Sequence, residues 1–413
     1  AGLQILRPEF KSQSVLQLHA LLIVPVAYER IVGGSIVPTM NSNIGDVGRG
    51  FAAFLSPPPE GVVRFTVGQP DFRTPQPVVD TAKAALDAGE HGYTRSQGSE
   101  EVCEAVAKYL SKYDLDVDAN DVLVSPGCKQ ALLYAMMSCL NPGDEVILFA
   151  PAWPSYDGML KLIGAVPVHV PVRRDNYHPD MTAVRAAINP KTKAMIINSP
   201  NNPTGAVYHP TEIEELTSIA ADNDMWIFDD MIYSDLVYCD HSYVSPVTFE
   251  GGKERTLTIG GWSKIWAMTG WRLGWITGPT HVMEGVKTCQ ASAASHVPTF
   301  LMGAGAVALG METDRISFFE SFAERRDVFH SLLQEIPGIN APKPEGAFYI
   351  LADITATGMD DIEFATRALE EAGVQLVPGS LMPGGEGLVR LSYGTSLDQI
   401  REGCKRLKNW LEG

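Results

Sequence analysis

Two cations stand out in one unusual stretch of the chain, Gly260-Gly-Trp-Ser-Lys-Ile-Trp-Ala-Met-Thr-Gly-Trp-Arg-Leu-Gly274. Lys264 and Arg272 sit there among glycines, hydroxyls and tryptophans, between apolar runs at 256–259 and 271–277. A lysine in apolar surroundings gives up its proton readily, because burial disfavours the charged form. Once neutral it is a nucleophile toward carbonyls. Arginine keeps its charge and needs an anion, most naturally a phosphate or carboxylate. An amine beside a phosphate-sized anion site suits pyridoxal phosphate, an aldehyde that carries a phosphate. A plain turn with an incidental surface lysine and arginine would give the same stretch, so its surroundings must decide.

Those surroundings alternate between strand and helix. Short apolar runs at 63–67, 122–125, 145–149, 167–172, 194–198, 226–229 and 256–260 are expected strands. Helical spacing marks 81–88, 99–110, 131–140, 182–188 and 211–223, with Ser99 as a cap. Such alternation implies an α/β fold with a mostly parallel sheet covered on both faces, and ligands at the carboxyl ends of its strands. Several motifs fall at such ends. Pro126-Gly127-Cys128-Lys129 joins a strand to a helix start, where free backbone N–H groups favour an anion. Trp153 follows another strand, and Asn198-Ser-Pro-Asn-Asn202-Pro-Thr-Gly205, by itself a dense turn, follows a third. Asp229 and Asp230 end a fourth; on a strand they face opposite ways, so only one can point into a site.

Composition narrows the partners. The 413 residues carry 32 Lys plus Arg against 49 Asp plus Glu, a net charge of −17, which argues against nucleic acid or an anionic membrane. With 45% hydrophobic residues the chain can bury a large core and is expected to form two domains. The six cysteines lack any C-x-x-C pair and read as free thiols in a reducing, cytoplasmic setting; no H-E-x-x-H indicates a metal. Residues 1–29 form an N-terminal extension or arm. Their apolar run at 15–28 is too short to span a bilayer and makes at best a weak secretory signal. Residues 45–61 read as a loop or linker.

From about residue 63 to its end the chain resembles the fold type I pyridoxal-phosphate aminotransferases of class I/II, in particular the aspartate aminotransferase-like branch. The motifs are Ser199-Pro-Asn-Asn-Pro-Thr-Gly205, Asp230-x-x-Tyr233, Ser263-Lys264 with Arg272 eight positions on, and Val389-Arg390-Leu-Ser392. The resemblance implies a large cofactor domain over 75–312, with a mostly parallel seven-stranded sheet between helices. It also implies a smaller α+β domain from 30–74 with 313–413, and a homodimer with shared active sites. Lys264 would form the Schiff base with the cofactor and later move the substrate proton. Asp230, chosen over Asp229 because Tyr233 lies three positions after it, would pair with the ring nitrogen. Tyr233 and Asn202 would bind the ring's phenolate oxygen, and Trp153 would stack on the ring. Gly127, Cys128, Lys129 and Arg272 would hold the phosphate, joined by Tyr93 from the neighbouring subunit, and Ser263 would also bind the cofactor. Arg390 would clamp the substrate carboxylate, with Gly68 on the loop closing over it.

Some positions depart from the family pattern. Gly261 stands where many members have a phosphate-binding serine, and Cys128 where Gly or Ser is usual. The second substrate arginine of typical aspartate enzymes is missing from Gln290-Ala-Ser-Ala-Ala-Ser-His296. In the branch that lacks it a lysine in the phosphate turn can take the distal carboxylate, and Lys129 is so placed. The expected reaction is therefore ping-pong transfer between an L-amino acid, aspartate favoured, and a 2-oxo acid, 2-oxoglutarate favoured; aromatic or alanine-type donors stay open. A β-lyase or other elimination enzyme of the same fold is the alternative. A regulatory module is the remote one, since residues 1–60 show no basic helix-turn-helix pattern.

Overall fold

A computed structural model describes residues 59–413 and the backbone of two short paired strands, β1 (Ile31–Val32) and β2 (Ser35–Ile36). The expected arm at 1–29, and nearly all of the 30–58 contribution to the small domain, lie outside the described residues.

The core of the molecule is a seven-stranded sheet. Its members are β4 (Val122–Ser125), β5 (Glu145–Ala150), β6 (Val166–Pro171), β7 (Thr192–Ile197), β8 (Trp226–Asp230), β9 (Thr256–Gly261) and β10 (Gly274–Thr277). They run in the order β4-β10-β9-β8-β7-β5-β6, all parallel except β10, which is antiparallel to both neighbours. Nearly every residue of β4, β5, β7, β8, β9 and β10 is buried, as expected of strands covered by helices on both faces. The lone reversal has a local cause. The 271–277 run does not continue as strand from its start, because Thr269–Trp271 forms a 3-10 turn and Arg272 takes a left-handed φ of 56°. The chain is thereby turned back along β9, with Gly274 paired to Gly261.

Helices α1 (Gln76–Asp87) and α2 (Glu100–Leu110) lead up to β4, and α3 (Cys128–Cys139), α4 (Ser155–Leu162), α5 (Met181–Ala187) and α6 (Pro210–Asp222) fill the crossovers. Two starts lie earlier than the apolar spacing suggests. Pro77 in the first turn lets α1 begin at Gln76, since proline there costs no hydrogen bond. Helix α3 begins at Cys128, directly on the turn after β4. Ser99 caps α2 as expected, accepting from the N–H of Val102. Helices α7 (Thr280–Ala293) and α8 (Met302–Leu309) complete this layer.

The rest of the chain builds a second layer. Helix α9 (Glu312–Leu333) leads to a three-stranded antiparallel sheet of β11 (Tyr349–Asp353), β14 (Leu388–Ser392) and β13 (Val377–Pro378), with β14 in the middle. The early β3 (Val63–Arg64), shorter than the 63–67 expected, pairs in parallel with β12 (Val374–Gln375). Helices α10 (Asp361–Glu370) and α11 (Leu397–Glu412) pack around these strands. The loop after β3 is tied to α9 by Arg325, which donates to both carboxylate oxygens of Asp71 and stacks over the Phe72 ring. Among the described residues, no helix is long and apolar enough to cross a membrane.

Candidate active site

The carboxyl ends of β4, β7, β8 and β9 converge on one cavity of about 270 Å³. Strand alternation settles which aspartate faces it. Asp230 lines the cavity, whereas Asp229 points away and accepts from the Tyr243 hydroxyl at 2.6 Å and from Ser245 at 2.8 Å. Burial pushes the Asp230 carboxyl up to about 6, although the Tyr156 hydroxyl, the Ile232 N–H and nearby Lys264 favour its charged form.

Lys264 reaches into the same cavity from the turn after β9. Its Nζ donates to the carbonyl of Gly68 at 2.7 Å. Burial lowers its ammonium to about 8, with Arg390 and Arg272 adding repulsion and Asp230 opposing. Across from it, Arg390 on β14 is fully buried, an expensive placement for a guanidinium. Its Nη1 donates to Asn202 Oδ1 at 3.0 Å and its Nη2 to the carbonyl of Thr66 at 2.9 Å. Asn202 thus faces the arginine, and the Tyr233 hydroxyl shares a 2.9 Å hydrogen bond with that of Tyr349.

The anion corner is built by close backbone approach. Gly127 precedes α3 with φ 86°, and a Cβ there would lie 2.5 Å from Nη2 of Arg272. Only glycine lets the guanidinium lie over the start of α3. Arg272 donates to the carbonyl of Thr269 and lines the cavity together with Ser263 and Lys129. The ammonium of Lys129 stands 4.9 Å from the Trp153 ring centroid, and burial followed by repulsion from Arg272 lowers its proton affinity. The departures at 128 and 261 explain each other. The Cys128 thiol donates to the carbonyl of Gly260 at 2.9 Å, and a Cβ on Gly261 would sit 2.5 Å from its Sγ. The sulfur fills the space that a side chain at 261 would need. Burial, then the charge of Asp230, raises the thiol so that it stays protonated.

Tyr93, an expected site residue, is placed away from this cavity. It is 94% exposed, and among the described residues its ring meets the edge of His296, with centroids 5.7 Å apart. Conversely, two tyrosines had no role assigned from sequence. Tyr156, in the first turn of α4 and three positions after Trp153, donates to Asp230 Oδ2 at 2.6 Å. Tyr349 lines the cavity from the start of β11, and nothing in its sequence surroundings marked it for the site. Asn198, at the end of β7, donates to the backbone carbonyl of Asp230 at 2.9 Å and fixes that strand end.

Comparison with known proteins agrees with this geometry. The family model for aminotransferase class I and II matches residues 60–407. An aspartate aminotransferase from Thermotoga maritima is 38% identical over 356 residues, covering 85% of this chain and 92% of its own. The structure of the Thermus thermophilus aspartate aminotransferase with maleate superposes with a TM-score of 0.80 at 37% identity, covering 84% of this chain and 91% of that one. An aromatic aminotransferase from Pyrococcus horikoshii gives a TM-score of 0.83 at 35% identity, covering 88% and 98%. A match over nearly all the described residues, on a fold type I architecture with the lysine in its cavity, places the chain in the class I and II aminotransferases, the pyridoxal-phosphate-dependent transaminases.

Proposed function

We propose that the protein moves an amino group between an acidic L-amino acid, aspartate favoured, and 2-oxoglutarate. The carrying observation is the buried lysine drawn down to about 8 while it shares one cavity with Asp230, Tyr233, Asn202 and the fully buried Arg390. The donor set fits pyridoxal phosphate. An amine of low proton affinity suits the aldehyde, and the N–H groups at the start of α3 with Arg272 suit the phosphate. A buried acid suits a ring nitrogen. When bound, the cofactor supplies an electron sink for the charge released at the substrate Cα.

The chain's own residues do the rest. Arg390 exchanges Asn202 for the α-carboxylate and holds it bidentately. Lys264, partly neutral near pH 7, would hold the cofactor's aldehyde and, once the substrate amine has displaced it, would move the proton of the substrate Cα. Asp230 holds a proton at the ring nitrogen, kept in place by Tyr156, while Asn202 and Tyr233 donate to the ring oxygen. Trp153 covers the ring, and Lys129 beside it takes the distal carboxylate. The likeness to aspartate aminotransferases, one of them solved with the dicarboxylate maleate, supports that last role. We further propose the large domain at 75–312, the small domain from 30–74 with 313–413, and a dimer that brings Tyr93 to its neighbour's phosphate. The substrate would bridge Arg390 on one domain, through its carboxylate, and Lys264 on the other, through its Cα proton, which gives a reason for closure.

A panel of donors, each given alone to holoenzyme, tests the reading. Aspartate or glutamate should release one equivalent of oxo acid per site and stop until an oxo acid is added. Continuous ammonia or pyruvate release would instead identify a lyase.

A further inference from the structure

Tyr349 occupies a junction that the transfer reaction as described leaves unused. Its ring meets that of Tyr233 edge-on, at 5.7 Å and 89°, so that the two hydroxyls lie 2.9 Å apart in a buried setting. Arg390 lies over its ring at 4.9 Å. On the other side its hydroxyl fills the place of a side chain at Gly68. A Cβ there would lie 2.1 Å from it, and the carbonyl of the same Gly68 accepts from Lys264. One hydroxyl from β11 therefore touches the loop that receives the lysine and the tyrosine that follows β8.

Proton counting gives that contact a direction. A phenol has one proton to donate and can accept as well. If Tyr233 gives its proton to the ring oxygen of the cofactor, it has none left for Tyr349, and Tyr349 must be the donor of the pair. Donation into the Tyr233 oxygen polarises its O–H and strengthens it as a donor, because chained hydrogen bonds reinforce one another. We propose that Tyr349 is a positioning residue that acts through Tyr233 to stabilise the anionic ring oxygen of the bound cofactor, with Gly68 kept side-chain-free to admit its hydroxyl. The inference rests on the functional reading above.

The test is the pH titration of the visible absorbance that pyridoxal phosphate gives when bound through Lys264, read without substrate. Tyr349→Phe keeps the ring and its packing while removing only the hydroxyl. Its titration midpoint should rise by roughly 0.3–0.5 pH unit, the share expected when one link of a hydrogen-bond chain to an anion is lost. Tyr233→Phe should raise it further, and Tyr349→Phe should add nothing in that background. Gly68→Ala, which pushes the same hydroxyl aside, should shift the midpoint in the same direction. A Tyr349→Phe protein that titrates like the parent, or a shift that persists unchanged in the Tyr233→Phe background, overturns the assignment and leaves the transaminase reading intact. A parent protein with no Lys264-dependent absorbance would instead overturn that reading, and this inference with it.

Discussion

Adjacent aspartates at the end of β8 do opposite work because a strand turns them to opposite faces. Asp230→Ala should leave the cofactor bound yet cripple removal of the Cα proton, seen as a collapse of the single-turnover rate with aspartate. Asp229→Ala should strand the Tyr243 and Ser245 hydroxyls and cost about 2–4 kcal/mol of stability in urea melts, with activity per folded molecule retained. The reverse pattern would sink the register at this strand end. A second pair tests packing rather than chemistry. Gly261→Ser drives a Cβ onto the Cys128 sulfur and should destabilise by roughly 1–3 kcal/mol. Cys128→Ala in the same chain should return much of that loss, leaving only the 3.0 Å contacts to Leu273 and Gly274. If the two substitutions simply add, the sulfur does not occupy the vacated space.

Elements are held in register by a buried histidine as much as by strands. His178 Nδ1 meets Glu212 near the start of α6 at 2.6 Å, and its Nε2 meets Glu345, just ahead of β11, at 3.1 Å. Burial alone would lower this imidazole, but the two carboxylates outweigh it and carry it up to about 9 from an ordinary 6.5. A group whose folded affinity for protons is raised stabilises fully below its unfolded pKa and loses that contribution as pH climbs through the folded one. The clamp should therefore be intact at pH 6.5 and weaken steadily toward pH 9. Urea unfolding at the two pH values checks this. The parent should lose stability across the window, and His178→Gln, which cannot titrate, should lose less.

At the scale of the whole molecule, Tyr93 has no partner in its own site among the described residues, and its exposure is what a residue offered to a second subunit would show. Mixing Tyr93→Ala protomers with Lys264→Ala protomers should test this, since each is expected to be nearly inactive alone. A hybrid dimer would hold one intact site, so random pairing should restore about a quarter of the parental turnover. No recovery after verified subunit exchange would mean that the site is complete within one chain.

The sequence by itself determined a good deal. The β/α alternation, the loops at strand ends and the order of Lys264, Arg272, Asp230, Asn202, Tyr233 and Arg390 were all readable, because period, turn chemistry and motif spacing are local properties. Even the choice of Asp230 over Asp229 came from its spacing to Tyr233. Tertiary structure alone decided three things. It reversed β10 through the left-handed Arg272, and it matched the Cys128 sulfur to the bare Gly261, 133 positions away in the chain. It also brought Tyr156 to Asp230 and Tyr349 to Tyr233. Contacts of that kind depend on which side chains share a few cubic ångströms after the sheet has closed, and no local pattern in the chain encodes them.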